Sequence, residues 1–159
     1  KEEVWYKKYG MGKLPTSWSS PSETRAAAKI DFRSTGGTWS GFTERDNFAV
    51  RWTGYVKIDA GGQYDWCTNS DDGSKLIVDD ALIVNNDGLH GMRLICSDLG
   101  VTAGYHKMEA QFFERGGGAG MELFYSGADT IYMRKKLAAS QFFFDGKVPA
   151  TTTPPPPTA

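Results

Sequence analysis

The sequence predicts an all-β fold, an antiparallel β-sandwich or barrel with at most short helical turns. Two observations predict it. Apolar and polar residues alternate with a period of two over several runs, and Gly-rich turns separate those runs at short, regular intervals. Evidence for helix is thin, confined to single turns at Ser22–Ala28 and Tyr132–Ala139.

From Phe48 to Asp59 the alternation is clean. Phe48, Val50, Trp52, Val56 and Ile58 share one face, and Arg51, Thr53, Lys57 and Asp59 the other. Gly54 interrupts the apolar face and reads as a bulge. Ala60-Gly61-Gly62 reads as a hairpin turn into the next strand, Gln63 to Thr68, where Tyr64 and Trp66 share a face. Two short strands follow, Lys75–Val78 and Leu82–Val84, joined by a turn at Asp79-Asp80-Ala81. Asn85-Asn86-Asp87-Gly88 is a further turn, and Arg93–Ser97 a short strand. After Gly104, His106, Met108, Ala110 and Phe112 line one face opposite Lys107, Glu109 and Gln111. A Gly-rich loop, Gly116 to Gly120, precedes a last strand in which Met121, Leu123 and Tyr125 align. The first 45 residues carry little periodicity.

The 159 residues suffice for one domain with a substantial core. A hydrophobic content of 40% and a charged content of 23% are those of an ordinary soluble domain. The net charge of -1 gives no electrostatic basis for binding nucleic acid or an acidic membrane. No apolar run reaches the roughly 18 residues of a membrane span. The chain does not begin with Met and reads as a piece of a larger protein, so a missing targeting segment carries no weight. Cys67 and Cys96, both in strand-like sequence, read either as a disulfide of an oxidising compartment or as two buried thiols. The run from Thr151 to Thr158, with four consecutive prolines, predicts a stiff extended spacer or glycosylated stalk. The expected organisation is a β-domain over 1–148 and a Thr/Pro-rich linker over 149–159 leading to neighbouring domains.

The chemistry concentrates at Asp71-Asp72-Gly73. Adjacent strand side chains point to opposite faces, so two neighbouring carboxylates converge only where the backbone bends, and a following glycine eases the bend. Converging like charges are costly unless a cation lies between them. The stretch is therefore a candidate Ca²⁺ site, with a solvated turn as the alternative. Asp79-Asp80 reads as plain turn chemistry. His106 lies on an apolar face and His90 in a loop, so both read as structural, and no Ser-His-Asp or Cys-His arrangement is visible. Trp52 and Trp66 fall on inward faces, whereas Trp18 and Trp39 lie in loop-like sequence.

Several segments together carry a family resemblance. They are Phe48 to Tyr55, Gly62-Gln63-Tyr64, Ser70-Asp71-Asp72-Gly73-Ser74, Asp87 to Met92, Ala103 to His106, and Phe112 to Gly120. In this order and spacing the chain resembles the protective-antigen (PA14) domain family over about Val4 to Lys147. The resemblance implies a β-sandwich or barrel. In lectin-type members it further implies a Ca²⁺ ion held by two consecutive aspartates joined by a cis peptide, with a second loop and sugar hydroxyls completing the shell. Asp71 and Asp72 match the aspartate pair. Glu114 falls near a side-chain ligand that is often an amide in adhesins, and Gly116 and Gly118 are the expected carbonyl donors. The expected function is that of a non-enzymatic, extracellular, Ca²⁺-dependent carbohydrate-binding module acting on glycans or glycoproteins. The alternatives are a structural or protein-interaction module and an accessory domain of a glycoside hydrolase.

Overall fold

Two antiparallel sheets stack face to face, and the alternating runs supply their strands. The computed structural model describes residues 1–9, 12–27 and 29–137, together with the backbone of 142–143. The strands are β1 (Glu2–Tyr6), β2 (Glu23–Arg25), β3 (Asp31–Thr35), β4 (Phe48–Ile58), β5 (Gly62–Asp71) and β6 (Ser74–Val78). They continue with β7 (Ala81–Asn86), β8 (Arg93–Val101), β9 (Gly104–Glu114), β10 (Ala119–Ser126), β11 (Lys135–Lys136) and β12 (Phe142–Phe143). One sheet runs β2-β1-β4-β9-β6-β7, with β12 also on β4, and the other runs β11-β10-β5-β8, with β3 also on β10.

The period-two patterns face inward as expected. Val50, Trp52, Val56 and Ile58 of β4 meet Tyr64 and Trp66 of β5, and Met121, Leu123 and Tyr125 of β10, in one core between the sheets. Burying each large side chain is worth roughly 1.5–3 kcal/mol, which is what holds the sheets together. Cys67 and Cys96 face each other across β5 and β8 and form a disulfide, the first of the two readings above.

Several local expectations give way to tertiary context. The turn Ala60-Gly61-Gly62 is not a hairpin: β4 and β5 lie in different sheets, so it is a crossing between layers. The Asp129 carboxylate holds it by accepting from the Asp59 and Ala60 amides, each at 2.7 Å. Gly54 is not a bulge, because the β4–β9 register runs unbroken through Gly54 and Met108. Among the described residues of the expected turn at Ser22–Ala28, which exclude the last, there is no helix but β2, recruited to pair with β1. The one short 3₁₀ turn among the described residues is Ala128–Thr130, just before the expected turn at Tyr132–Ala139, of which the last two residues lie outside the described range. Trp39 is not a free loop residue. It is 4% exposed, stacks on Phe32 with ring centroids 4.1 Å apart, and donates its indole N–H to the Ala119 carbonyl. The expected linker over 149–159 lies outside the described residues.

Two further crossings position the site. The chain leaves the second sheet at Asp71 and enters the first at Ser74, then leaves the first at Glu114 and returns to the second at Ala119. The registers put both at one end of the sandwich, since Asp71 pairs with Gly120 and Ser74 with Phe112. The Phe113 amide donates to the Gly73 carbonyl at 3.0 Å and links them directly.

Candidate functional site

Asp71 closes β5 and Asp72 opens the crossing, and the peptide bond between them is cis. Glu114 ends β9 on the same inward parity as Met108, Ala110 and Phe112, so a carboxylate stands where the pattern would place an apolar side chain. One carboxylate oxygen from each of Asp71, Asp72 and Glu114 lies within 4.8 Å of the others.

The three carboxylates differ in how they are supported. Asp72 is 6% exposed and accepts two backbone hydrogen bonds, from Arg115 N at 3.0 Å and His90 N at 3.3 Å. Glu114 is fully buried, and neither of its oxygens has a hydrogen-bond partner. A buried carboxylate without partners resists ionisation. Burial foremost, then the charges of Asp72, Asp71 and Asp46, push the Glu114 carboxyl up to about 9. The nearby Asp72 amide opposes this only in part, without reaching hydrogen-bond geometry. Asp71 is also shifted upward, by burial first and then by the Asp72 charge, with His90 opposing.

The Gly-rich loop after Glu114 wraps the aspartates from one side. A Cβ on Gly118 would stand 3.4 Å from Asp71 Oδ2 and from Ser34 Oγ, so the bare backbone runs beside that carboxylate. Gly116 is exposed, with open space around it. Gly73 is held more tightly, because a Cβ there would come within 2.4 Å of the Phe113 ring and 2.8 Å of the Gly88 amide.

A third segment, 85–93, belongs to this end of the molecule. In the sequence, Asn85–Gly88 reads as a turn and Asp87–Met92 counts in the family resemblance, with none of it assigned to the site. Asn85 and Asn86 are in fact the end of β7, and the turn begins at Asp87. Asn86 is fully buried, donates to the Arg93 carbonyl at 2.8 Å and accepts from Arg93 Nε at 2.8 Å. Beneath the aspartates, Ser74 Oγ donates to Thr68 Oγ1 at 2.9 Å and shares a 2.6 Å bond with Ser70 Oγ. These inward polar residues replace apolar core at the crossing and anchor it through satisfied bonds. The missed signal was a cluster of small polar residues on the inward parity of β5 and β6, where apolar side chains are the rule.

The histidines keep structural roles. Each ring nitrogen of His90 lies 2.8 Å from a carbonyl oxygen, of Gly91 and Asn86. His106 lies between Asp79 Oδ2 at 2.6 Å and the Thr102 carbonyl at 2.7 Å. Both rings are fully engaged within the fold.

The donor set fits a hard cation. It consists of carboxylate oxygens beside a backbone loop, without nitrogen or sulfur ligands, which is the chemistry of Ca²⁺ rather than of a transition metal. The unpartnered oxygens of Glu114 are what such an ion would satisfy.

Known proteins share this architecture. A PA14 domain profile matches residues 40–135. No curated protein matches the sequence. Among solved structures, an anti-sigma factor domain-containing protein is similar over 89% of this chain at 22% identity and a TM-score of 0.74. The chain spans 46% of that protein, about half its length. The PA14 domain of the MpAFP antifreeze protein is similar over 94% of this chain and 92% of its own, at 16% identity and a TM-score of 0.78. A PA14 sugar-binding domain from an RTX adhesin is similar over 90% of this chain and 96% of its own, at 17% identity and a TM-score of 0.73. At these identities the likeness is one of fold.

Proposed function

The chain belongs to the PA14 domain family, and from that premise we propose that it is an extracellular carbohydrate-binding module that holds its sugar through a Ca²⁺ ion. The observation that carries this reading is Glu114, fully buried with both oxygens unpartnered, beside Asp71 and Asp72. Three carboxylates gathered at one end of a sandwich repel one another, and a divalent cation relieves that repulsion.

Asp71, Asp72 and Glu114 are the side chains that would hold the ion, with the backbone of Gly116 and Gly118 offering carbonyls. When bound, the ion supplies coordination positions that two adjacent sugar hydroxyls can fill in place of water. The amides of Arg115 and His90 fix the orientation of Asp72. Gly118 keeps the approach to Asp71 clear of side chains. The partners are glycans or glycoproteins. The disulfide supports an oxidising, extracellular setting. No helix among the described residues is long and apolar enough to cross a membrane. A single open site of this type binds weakly, so repetition of the module would supply avidity.

Calorimetric titration with Ca²⁺, followed by a glycan array with and without chelator, tests the reading. The expected result is saturable Ca²⁺ binding and glycan signals that vanish with chelator. Glycan binding indifferent to chelator would refute the metal bridge, and Ca²⁺ binding without any glycan signal would leave a structural module.

A further inference from the structure

The third loop, Asp87 to Arg93, ties its polar side chains to neighbouring groups and leaves two apolar side chains exposed. The Asp87 carboxylate accepts from the amides of Leu14 and Gly88, both at 2.8 Å. The His90 ring lies between two carbonyls, and the Arg93 guanidinium donates to Asn86 Oδ1 and the Asp87 carbonyl. Leu89 and Met92 are left 45% and 38% exposed.

Their position matters more than their exposure. The His90 amide, between them in sequence, donates to Asp72. Ser70 pairs with Arg93 as the last rung of β5 and β8, so Met92 stands one step on, beside Asp71. Its sulfur lies over Gly120, 2.7 Å from where a Cβ would be, and Gly120 is the β10 partner of Asp71. Leu94, 41% exposed and paired with Asn69, extends the apolar strip along the same outward face. The candidate site thus has an apolar rim on one side and a bare glycine backbone on the other.

We infer that Leu89 and Met92 form a specificity subsite for a 6-deoxyhexose, receiving its C6 methyl while its hydroxyls face the Asp71–Asp72–Glu114 cluster. This rests on the reading of that cluster as a sugar-bridging cation site. A hexose that keeps its C6 hydroxyl would press that group against the carbon and sulfur of Leu89 and Met92, which offer it no hydrogen bond, and a hydroxyl that loses water without gaining a partner is unfavourable. An N-acetyl group would bring its methyl with an amide that meets the same lack of partners. A methyl group alone loses nothing there and gains contact.

The test uses L-fucose and L-galactose, which differ only in the C6 hydroxyl, in competition binding at saturating Ca²⁺. Wild type is compared with Leu89→Asn and Met92→Gln, made singly and together, and each variant is also titrated with Ca²⁺ alone to report on the carboxylates. The expected result is about a tenfold preference of wild type for L-fucose, falling to near parity in the double variant while Ca²⁺ still binds. If wild type binds both sugars equally in a chelator-sensitive way, or the double variant keeps the preference, this inference is overturned and the metal-bridged reading stands. Sugar binding that is absent or indifferent to chelator removes the reading and this inference with it.

Discussion

The chain carries two adjacent aspartate pairs, Asp71-Asp72 and Asp79-Asp80, one at each end of β6. Locally they look alike, since each sits beside a short strand. Their structures share almost nothing. Asp79 and Asp80 both have positive φ, at 50° and 66°, and form the two-residue turn of the β6–β7 hairpin. Every charge there has a neighbour of opposite sign or a donor. Asp79 accepts from His106 and the Lys107 amide, and Asp80 from Lys107 Nζ. Asp71 and Asp72 instead lie on a crossing between sheets and face a third carboxylate that has no partner at all. Adjacency of two aspartates is therefore not what makes a site. The fold brings another acid to the first pair and bases to the second.

The sharpest way to break this contrast is substitution within each pair. Asp72→Ala should abolish measurable Ca²⁺ binding by calorimetry, whereas Asp79→Asn should leave the Ca²⁺ affinity unchanged within about twofold and act on stability alone. A lost hydrogen bond to a charged group is worth roughly 1.5–3 kcal/mol, so Asp79→Asn should lower Tm by several degrees. Equal loss of Ca²⁺ binding at both pairs would remove the distinction.

Glu114→Gln is next in size, and its two effects have opposite signs. Removing an ionisable group from a dry site should raise the Tm of the metal-free protein, while Ca²⁺ affinity falls by about tenfold or more with the loss of one anionic ligand. A variant that is less stable without metal would show Glu114 to be a structural residue.

Acid and base should separate the pairs further. With its carboxyl near 9 rather than the ordinary 4.5, Glu114 keeps a proton in the folded metal-free chain that the unfolded chain has already released. Its contribution to stability is therefore fully present below about pH 4.5 and is lost as pH rises towards 9. Ca²⁺ must displace that proton, so affinity should rise with pH across the same window, by up to about tenfold per unit. Titrations from pH 6 to 9 with matched melting curves check both trends, and Glu114→Gln should flatten them. The smallest effect belongs to Asp80→Asn. Its bond to Lys107 lies in open solvent, and neither Tm nor Ca²⁺ affinity should move measurably.

Much of the fold and part of the site were legible along the chain. Period-two patterning marked β4, β9 and β10 because each buries one face, and side-chain alternation is a property of the strand itself. Asp71-Asp72 stood out as a charge problem needing a solution. The inward burial of Glu114 was also within reach, since it continues the parity of His106, Met108, Ala110 and Phe112. Other features were not local. Ala60-Gly61-Gly62 has the composition of a hairpin turn whether its strands pair or part to different sheets. Trp39 looked like a loop residue because nothing next to it announces the Phe32 and Phe112 rings that enclose it. The 87–92 loop entered the family resemblance but carried no residue assigned to the site, and its place beside Asp72 follows from the β5–β8 register.

By itself the sequence determined the strands from Phe48 to Ser126 in outline, their apolar faces and the two acidic pairs, because period, turn residues and charge act over a few neighbours. β1, β2, β3 and β11 took their pairing from distant partners. Only the tertiary structure decided which groups face each pair, Glu114 at the first and His106 and Lys107 at the second. The carboxylates of Asp71, Asp72 and Glu114 converge because two sheet-to-sheet crossings, more than 40 positions apart in the chain, share one end of the sandwich. That convergence depends on how the sheets stack, and long-range packing, not local preference, bears its electrostatic cost.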